Sequence, residues 1–358
     1  MGKSKLGLVE LLRIFVAITT SMVFVFAVIF IVSDQPLSAI GDFLIGPLTS
    51  VRRFGNVIEA MVPLMFTGMA VTMLYRAGLF NLSMEGAFFI GSVAATGVSL
   101  SLTGLPPLLN LVLSLLAAAC AGGLVTLIPG FLKVKCYANE LVTSLMLNYV
   151  CLYVGLYIIT TFFYDPEMNA NYSYKFNEAV LLPRIVPGTR INTGLIIALV
   201  CVLLLWLVMN KTSFGYKVTL VGKNQNMAKY SGIAAGSAIL GSQFLGGTLA
   251  GLGGGVDLFG MYKRFQYGGL PGYGWDGVLI AIVAYYKVEY IPLAALFLAY
   301  LRTGADIMTR NSDIPFEIVK IIQALVIVLI SAKAILREYR KRLIVKEATA
   351  MEEKGAAM

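Results

Sequence analysis

Asn81, Ser83 and Glu85 stand at alternate positions within Arg76–Gly91, RAGLFNLSMEGAFFIG, where one strongly apolar run ends and another begins. An amide, a hydroxyl and a carboxylate so placed can close a helix end, hold a cation or proton, or hydrogen-bond a neutral solute. A second break comes late in the chain, where Gly272-Tyr273-Gly274-Trp275-Asp276-Gly277 runs into the apolar Val278–Ala284. Both breaks pair an acid with a glycine, Glu85 with Gly86 and Asp276 with Gly277. Trp275 adds a flat apolar face that suits stacking on a planar ring or anchoring at a membrane interface. A charge at the centre of a membrane span costs about 2.5 to 3.5 kcal/mol on insertion scales, so both acids must face protein, water or an interface. The simplest role for each is to stabilise the positive N-terminal end of its own helix, with direct solute contact as the competing role. Asn81 has the same two options, a cap or a bond to solute.

Catalytic chemistry has little to work with. There is no histidine among the 358 residues, which removes imidazole as base, proton relay or metal ligand. No Ser, Cys or Lys is paired with a base at a motif spacing. Cys120, Cys136, Cys151 and Cys201 lie in or beside apolar runs without paired spacing, as inert packing residues do. No cofactor or metal is expected, and no nucleic acid polymer is expected as a partner.

These polar breaks interrupt a chain that is 58% hydrophobic and 13% charged, with mean hydropathy +0.82, too apolar to cover a soluble surface. The fold expected is all-α and integral to the membrane. About twenty apolar residues cross a bilayer, and ten segments qualify, roughly 12–33, 57–75, 82–102, 107–131, 140–163, 192–210, 236–258, 275–286, 290–309 and 315–336. The eighth is too short unless Gly268–Gly274 also lies at membrane depth, covered by protein. Two breaks at corresponding places suggest two inverted repeats with discontinuous helices near the midplane, the pattern that marks a transport path. We read residues 1–358 as a single transmembrane domain: a membrane core at 11–336, a loop at 211–235 and a tail at 337–358.

Eighteen of the 28 Lys and Arg fall on the side that holds Arg76, Lys133, Lys211, Lys217, Lys223, Lys229, Lys287 and the tail, and eight fall on the other. The positive-inside rule makes the richer side, with both termini, cytoplasmic. Within the cytoplasmic loop Lys211–Ala235, Asn224 can cap a short helix over Gln225–Tyr230 that ends at Gly232, with Lys229 near its negative end. So short a helix is unstable unless it docks. Gly222-Lys223-Asn224 lacks the glycine spacing and the following Ser or Thr of a phosphate-binding loop, so the chain has no ATPase of its own. In the seventh span, Gly247, Gly251 and Gly255 form a ridge for close helix approach. Arg302 and Asp306, four apart, are expected to pair.

Five ordered elements resemble the permease subunits of bacterial ABC importers of the basic-membrane-protein type, whose members import purine nucleosides. They are Arg76–Asn81 with Glu85-Gly86; Asn139–Leu141 through Leu145–Tyr149; Gly222–Asn224 with Ala228–Ile233; Gly274–Gly277; and Leu301–Ala305. Sugar and branched-chain amino-acid permeases share the broader fold. The loop departs slightly from its relatives, with Gln225 where proline is frequent and Lys229 where arginine is. The resemblance implies a multi-pass subunit of the bacterial cytoplasmic membrane. Its path would be lined by the second, third, fifth and eighth spans and would include Asn81, Glu85, Asn148, Trp275 and Asp276. It implies a coupling helix in which Asn224, Gln225, Lys229, Tyr230 and Gly232 meet a cytosolic ATP-binding subunit. It also implies a second permease in a heterodimer and an external substrate-binding lipoprotein. Two alternatives stay open: a permease of the same fold for a sugar or other small polar solute, and a secondary transporter using Glu85 and Asp276 as ion sites.

Overall fold

The computed structural model describes residues 33–312 apart from Asn169 and Asn171, together with Val23, Phe26 and residues 29–31. The first and tenth expected spans and the C-terminal tail lie largely or wholly outside the described residues. Eleven α-helices follow in order: α1 Pro36–Leu44, α2 Val51–Arg76, α3 Met84–Ser101, α4 Pro107–Cys136, α5 Glu140–Phe162, α6 Gly194–Lys211, α7 Ser213–Lys223, α8 Gln225–Tyr230, α9 Ala235–Met261, α10 Tyr273–Val283 and α11 Ile291–Asn311. No strand forms among the described residues; two isolated bridges, Tyr164 with Ser173 and Arg184 with Asn192, tie the long loop after α5. Among the described residues seven helices are long and apolar enough to cross a membrane, and α10, at eleven residues, is not.

Local signals set several helix ends. Ser50 and Asn139 cap α2 and α5 by accepting from Arg53 N and Leu141 N at 3.2 and 3.0 Å. Pro107, at the first position of α4, lacks the N–H that would go unpaired there. The segment expected as one loop after the sixth span holds two helices. Thr212 starts α7 by accepting from Gly215 N, and Asn224 starts α8.

The chain divides into two compact units, Ser50–Tyr300 and Met1–Thr49 with Leu301–Met358. In the larger unit α9 is central, and its sequence shows why. One glycine edge lies against α4, where Gly247 meets Gly122 and Thr126, and Gly251 meets Ala118 and Gly122. Another edge faces α3, where Gly254 meets Phe88. Backbones this close gain dispersion contacts along their length, the main attraction between helices in lipid. Thr126 Oγ1 fastens the pair by donating to Gln243 O at 2.7 Å. The most apolar stretch of α2 is 89% buried, whereas those of α5 and α6 are 28% buried, so α2 is a core helix and the other two present broad faces outward. In the smaller unit Phe43 O lies against Gly304, and Arg310 Nη2 bonds Asp306 at 2.9 Å. Asp306 therefore pairs one turn onward rather than with Arg302. Arg310 lies in the last turn of α11, where a cation also favours the helix end.

Candidate functional site

The described part of the larger unit has two polar ends and a polar middle. At one end the finish of α2, the start of α5, the finish of α6 and the turn after α10 come together. Arg76 Nε donates to Tyr286 O at 3.0 Å and its Nη1 to Asn210 Oδ1 at 3.1 Å, while Lys133 and Glu140 pair at 2.8 Å. At the opposite end the long loop after α5 packs on the end of α9. Arg264 pairs with Asp165 at 3.0 Å, Arg190 with Glu59 at 3.5 Å and Lys263 with Glu178 at 2.9 Å. The Lys263 ammonium holds the exposed Glu178 carboxyl below the ordinary carboxylate range. The alternation of ends along the chain agrees with the alternation of charge-rich and charge-poor loops.

Between these ends the first break does not turn around at the surface. Residues 77–83 leave α2 and run back alongside α5 as non-helical backbone, and three α5 side chains spaced by four receive them. Phe80 N–H donates to Glu140 Oε1 at 2.7 Å, and Leu82 N–H to Ser144 Oγ at 3.1 Å. Asn148 Nδ2 donates to Leu82 O at 3.0 Å, while its Oδ1 accepts from Gly86 N at 2.9 Å. Positions four apart on a helix share one face, so α5 carries a polar rail that pairs the backbone of the unwound segment. Asn148 lies eight positions after Glu140, a rise of about 12 Å, so α3 begins well along α5 rather than beside its end. Asn81 closes the turn before α3: its Oδ1 accepts from Ser83 N at 2.7 Å and its Nδ2 donates to Gln243 Oε1 at 2.6 Å. Asn81 caps the approach to the helix rather than its N-terminus, and it ties that approach to α9.

Glu85 departs from its expected role in an informative way. Its carboxylate, 1% exposed, leaves its own helix end and reaches the other break, where Gly272 N–H donates to Oε1 at 2.5 Å and Gly274 N–H to Oε2. Gly272 caps α10 with φ +89, a conformation that glycine adopts without strain, and Gly274 lies against the Glu85 backbone. One carboxylate thus neutralises the positive end of a neighbouring helix and joins the two breaks. Asp276 sits beside it in the first turn of α10, 8% exposed, while the adjacent Trp275 side chain is 50% exposed. The structure therefore brings Asn81, Glu85, Asn148, Trp275 and Asp276 into one region. Glu140, Ser144 and Gln243 belong with them and were not singled out from the sequence. The four-residue spacing of Glu140, Ser144 and Asn148 was the signal available.

The remaining predicted residues form a separate surface. Asn224 Oδ1 accepts from Asn226 N and Met227 N, each at 3.0 Å. Helix α8 ends with Gly232 N–H donating to Lys229 O at 3.0 Å and Ile233 N–H to Ala228 O at 2.9 Å, around Gly232 at φ +76. Ala228 is buried, whereas Tyr230 is 94% and Met227 57% exposed. Gln225 and Lys229 share the exposed side. One helix back, the backbone of Gly222 in α7 rests on Arg76–Gly78, at the start of the first break.

Membrane-long apolar helices and polar breaks that meet between the two polar ends define a multi-pass membrane protein. Residues 54–331 match the family described as branched-chain amino acid transport system / permease component, and the chain belongs to this family. It is 31% identical to the guanosine ABC transporter permease protein NupP of Bacillus subtilis (strain 168), over 82% of this chain and 84% of that protein. It is 33% identical to the glucose ABC transporter permease protein TsgB13 of Haloferax volcanii, over 86% and 83%. It is 30% identical to the nucleoside ABC transporter permease protein NupB of Lactococcus lactis subsp. cremoris, over 90% and 91%. The chain is accordingly a transport component and not an enzyme, and the secondary-transporter alternative falls with the family assignment.

Proposed function

We propose that the chain forms one half of the translocation path of an ATP-driven importer, and that its cargo is a nucleoside, most suitably a purine nucleoside. The union of the two breaks carries this reading. Glu85 spends both carboxylate oxygens on backbone amides, so it gives α10 a fixed position and does not present an open anion to the cargo. Beside it Trp275 offers a half-exposed indole, a stacking face that holds a neutral planar solute loosely enough to let it pass. The names of NupP and NupB point to nucleoside cargo; that of TsgB13 supports a second reading, a sugar, which also stacks on indole.

In this reading residues 1–358 are one permease domain with ten spans, two inverted repeats and both termini in the cytosol, and 211–235 is its coupling loop. An ATP-binding subunit receives α8 through Asn224, Gln225, Lys229, Tyr230 and Gly232. An external binding protein delivers the cargo, and a second, different permease completes the path. The broad outward faces of α5 and α6 support that last partner, because Tyr149, Tyr153 and Tyr157 stand exposed along α5, where lipid would leave their hydroxyls without partners.

The test is uptake by vesicles in which the chain is reconstituted with its ATPase, second permease and binding protein. Guanosine uptake should require internal ATP, should persist with ionophores present, and should exceed glucose uptake at equal concentration. Glucose carried in preference would transfer the assignment to the second reading.

A further inference from the structure

A cleft of about 570 Å³ opens at the charge-rich end of the larger unit, apart from the two breaks. It lies between the last turns of α2 and α6, the first turns of α7, and the turn after α10. Two cations reach it. Arg76 is half-buried and held by Tyr286 O and Asn210 Oδ1, which use two of its five N–H groups and leave three available. Lys287 is exposed, its ammonium 5.3 Å from the Tyr290 ring. The lining also carries Tyr75, Tyr216 and Thr212 and contains no acid; Glu289 acts on Arg76 from outside it. Thr212 is the N-cap of α7, whose first turn has no acidic residue to offset its positive end.

The Thr212 hydroxyl donates to Val208 O at 2.6 Å, so the hydroxyls that can serve a ligand are those of the tyrosines; with two cations and no lining acid they make a receptor for an anion with several oxygens. The depth of the cleft narrows the choice. It opens where α2 and α6 leave the apolar layer, ringed by tyrosines as at a bilayer interface, and phosphodiesters are the anions held at that level. We propose that this cleft binds the headgroup phosphate of an anionic phospholipid, with Arg76 and Lys287 as its charge partners and Tyr216 as a hydroxyl donor. The bound lipid would brace the ends of α2, α6 and α10 against one another.

The probe is acetylation of Lys287 in the full chain, purified in a neutral detergent and read by peptide mass spectrometry, with exposed Lys229 as the internal reference. Phosphatidylglycerol in the micelles should slow modification of Lys287 relative to Lys229, while phosphatidylcholine and inorganic phosphate should not. Arg76→Gln should cut that protection roughly fivefold, the effect of one interfacial charge. Tyr216→Phe keeps the Arg76 contacts to Tyr286 and Asn210, so its weaker protection separates a binding defect from a folding defect. Equal protection by both lipids, or by neither, would overturn the proposal. Protection by inorganic phosphate matching that of phosphatidylglycerol would overturn the lipid assignment in favour of a soluble phosphoester.

Discussion

Glu85 and Trp275 both meet the start of α10, the one from α3 and the other from within α10 itself, yet they have different duties. Removing the Glu85 carboxylate takes the partner from the half-buried Gly272 amide and the buried Gly274 amide, and the loss at a buried amide costs roughly 1 to 3 kcal/mol. Trp275 is half-exposed and its loss orphans no backbone group. Glu85→Ala should therefore lower both the thermal midpoint of the purified chain and the yield of assembled transporter. Trp275→Ala should slow guanosine uptake at unchanged yield. Should Glu85→Ala assemble normally and alter only which solute is carried, the carboxylate would be a recognition group. The need for an acid before Gly86 was legible in the sequence, because a charge inside an apolar run demands a reason. Its partner was not legible, because the amides it serves lie 187 and 189 positions away and belong to another helix.

At the scale of elements, what was local was readable. Asn224 and Gly232, flanking the six helical residues Gln225–Tyr230, announced α8, since capping depends on neighbours within one turn. The glycine series in α9 announced a close helix contact, though nothing local named α4 as the partner. Asn148 was named for the path, but Glu140 and Ser144 were not joined to it, because the meaning of the α5 rail lies in what it faces, residues 77–83. A six-residue helix showing Tyr230 and Met227 to solvent needs a partner surface to pack against. Tyr230→Asp would force that surface to desolvate a carboxylate without a counter-ion. The variant should insert normally, lose uptake, and bring down at least tenfold less ATP-binding subunit on purification, a change of about 1.4 kcal/mol in affinity. Full retention of that subunit with normal uptake would remove α8 from the coupling role.

For the whole molecule the decisive quantity is sidedness. Ser231 and Lys175 lie at opposite polar ends and are exposed. In a chain whose native cysteines have been replaced, Ser231→Cys should react with a membrane-impermeant maleimide only in inverted vesicles, and Lys175→Cys only in intact cells. The reverse pattern would invert the proposed orientation. Sidedness also governs how a push delivered at α8 would travel. One route from α8 to the first break runs through α7, and where α7 touches the chain leaving α2, Gly222 meets Arg76–Gly78 with backbone against backbone. A side chain at such a joint would absorb a small displacement by changing rotamer. Here no rotamer exists to change, and a methyl group at Gly222 would collide with the Arg76 carbonyl. In the proposed coupling, a shift of α7 would therefore press directly on residues 77–83, which pair with the α5 rail and lead to the Glu85 carboxylate that steadies α10.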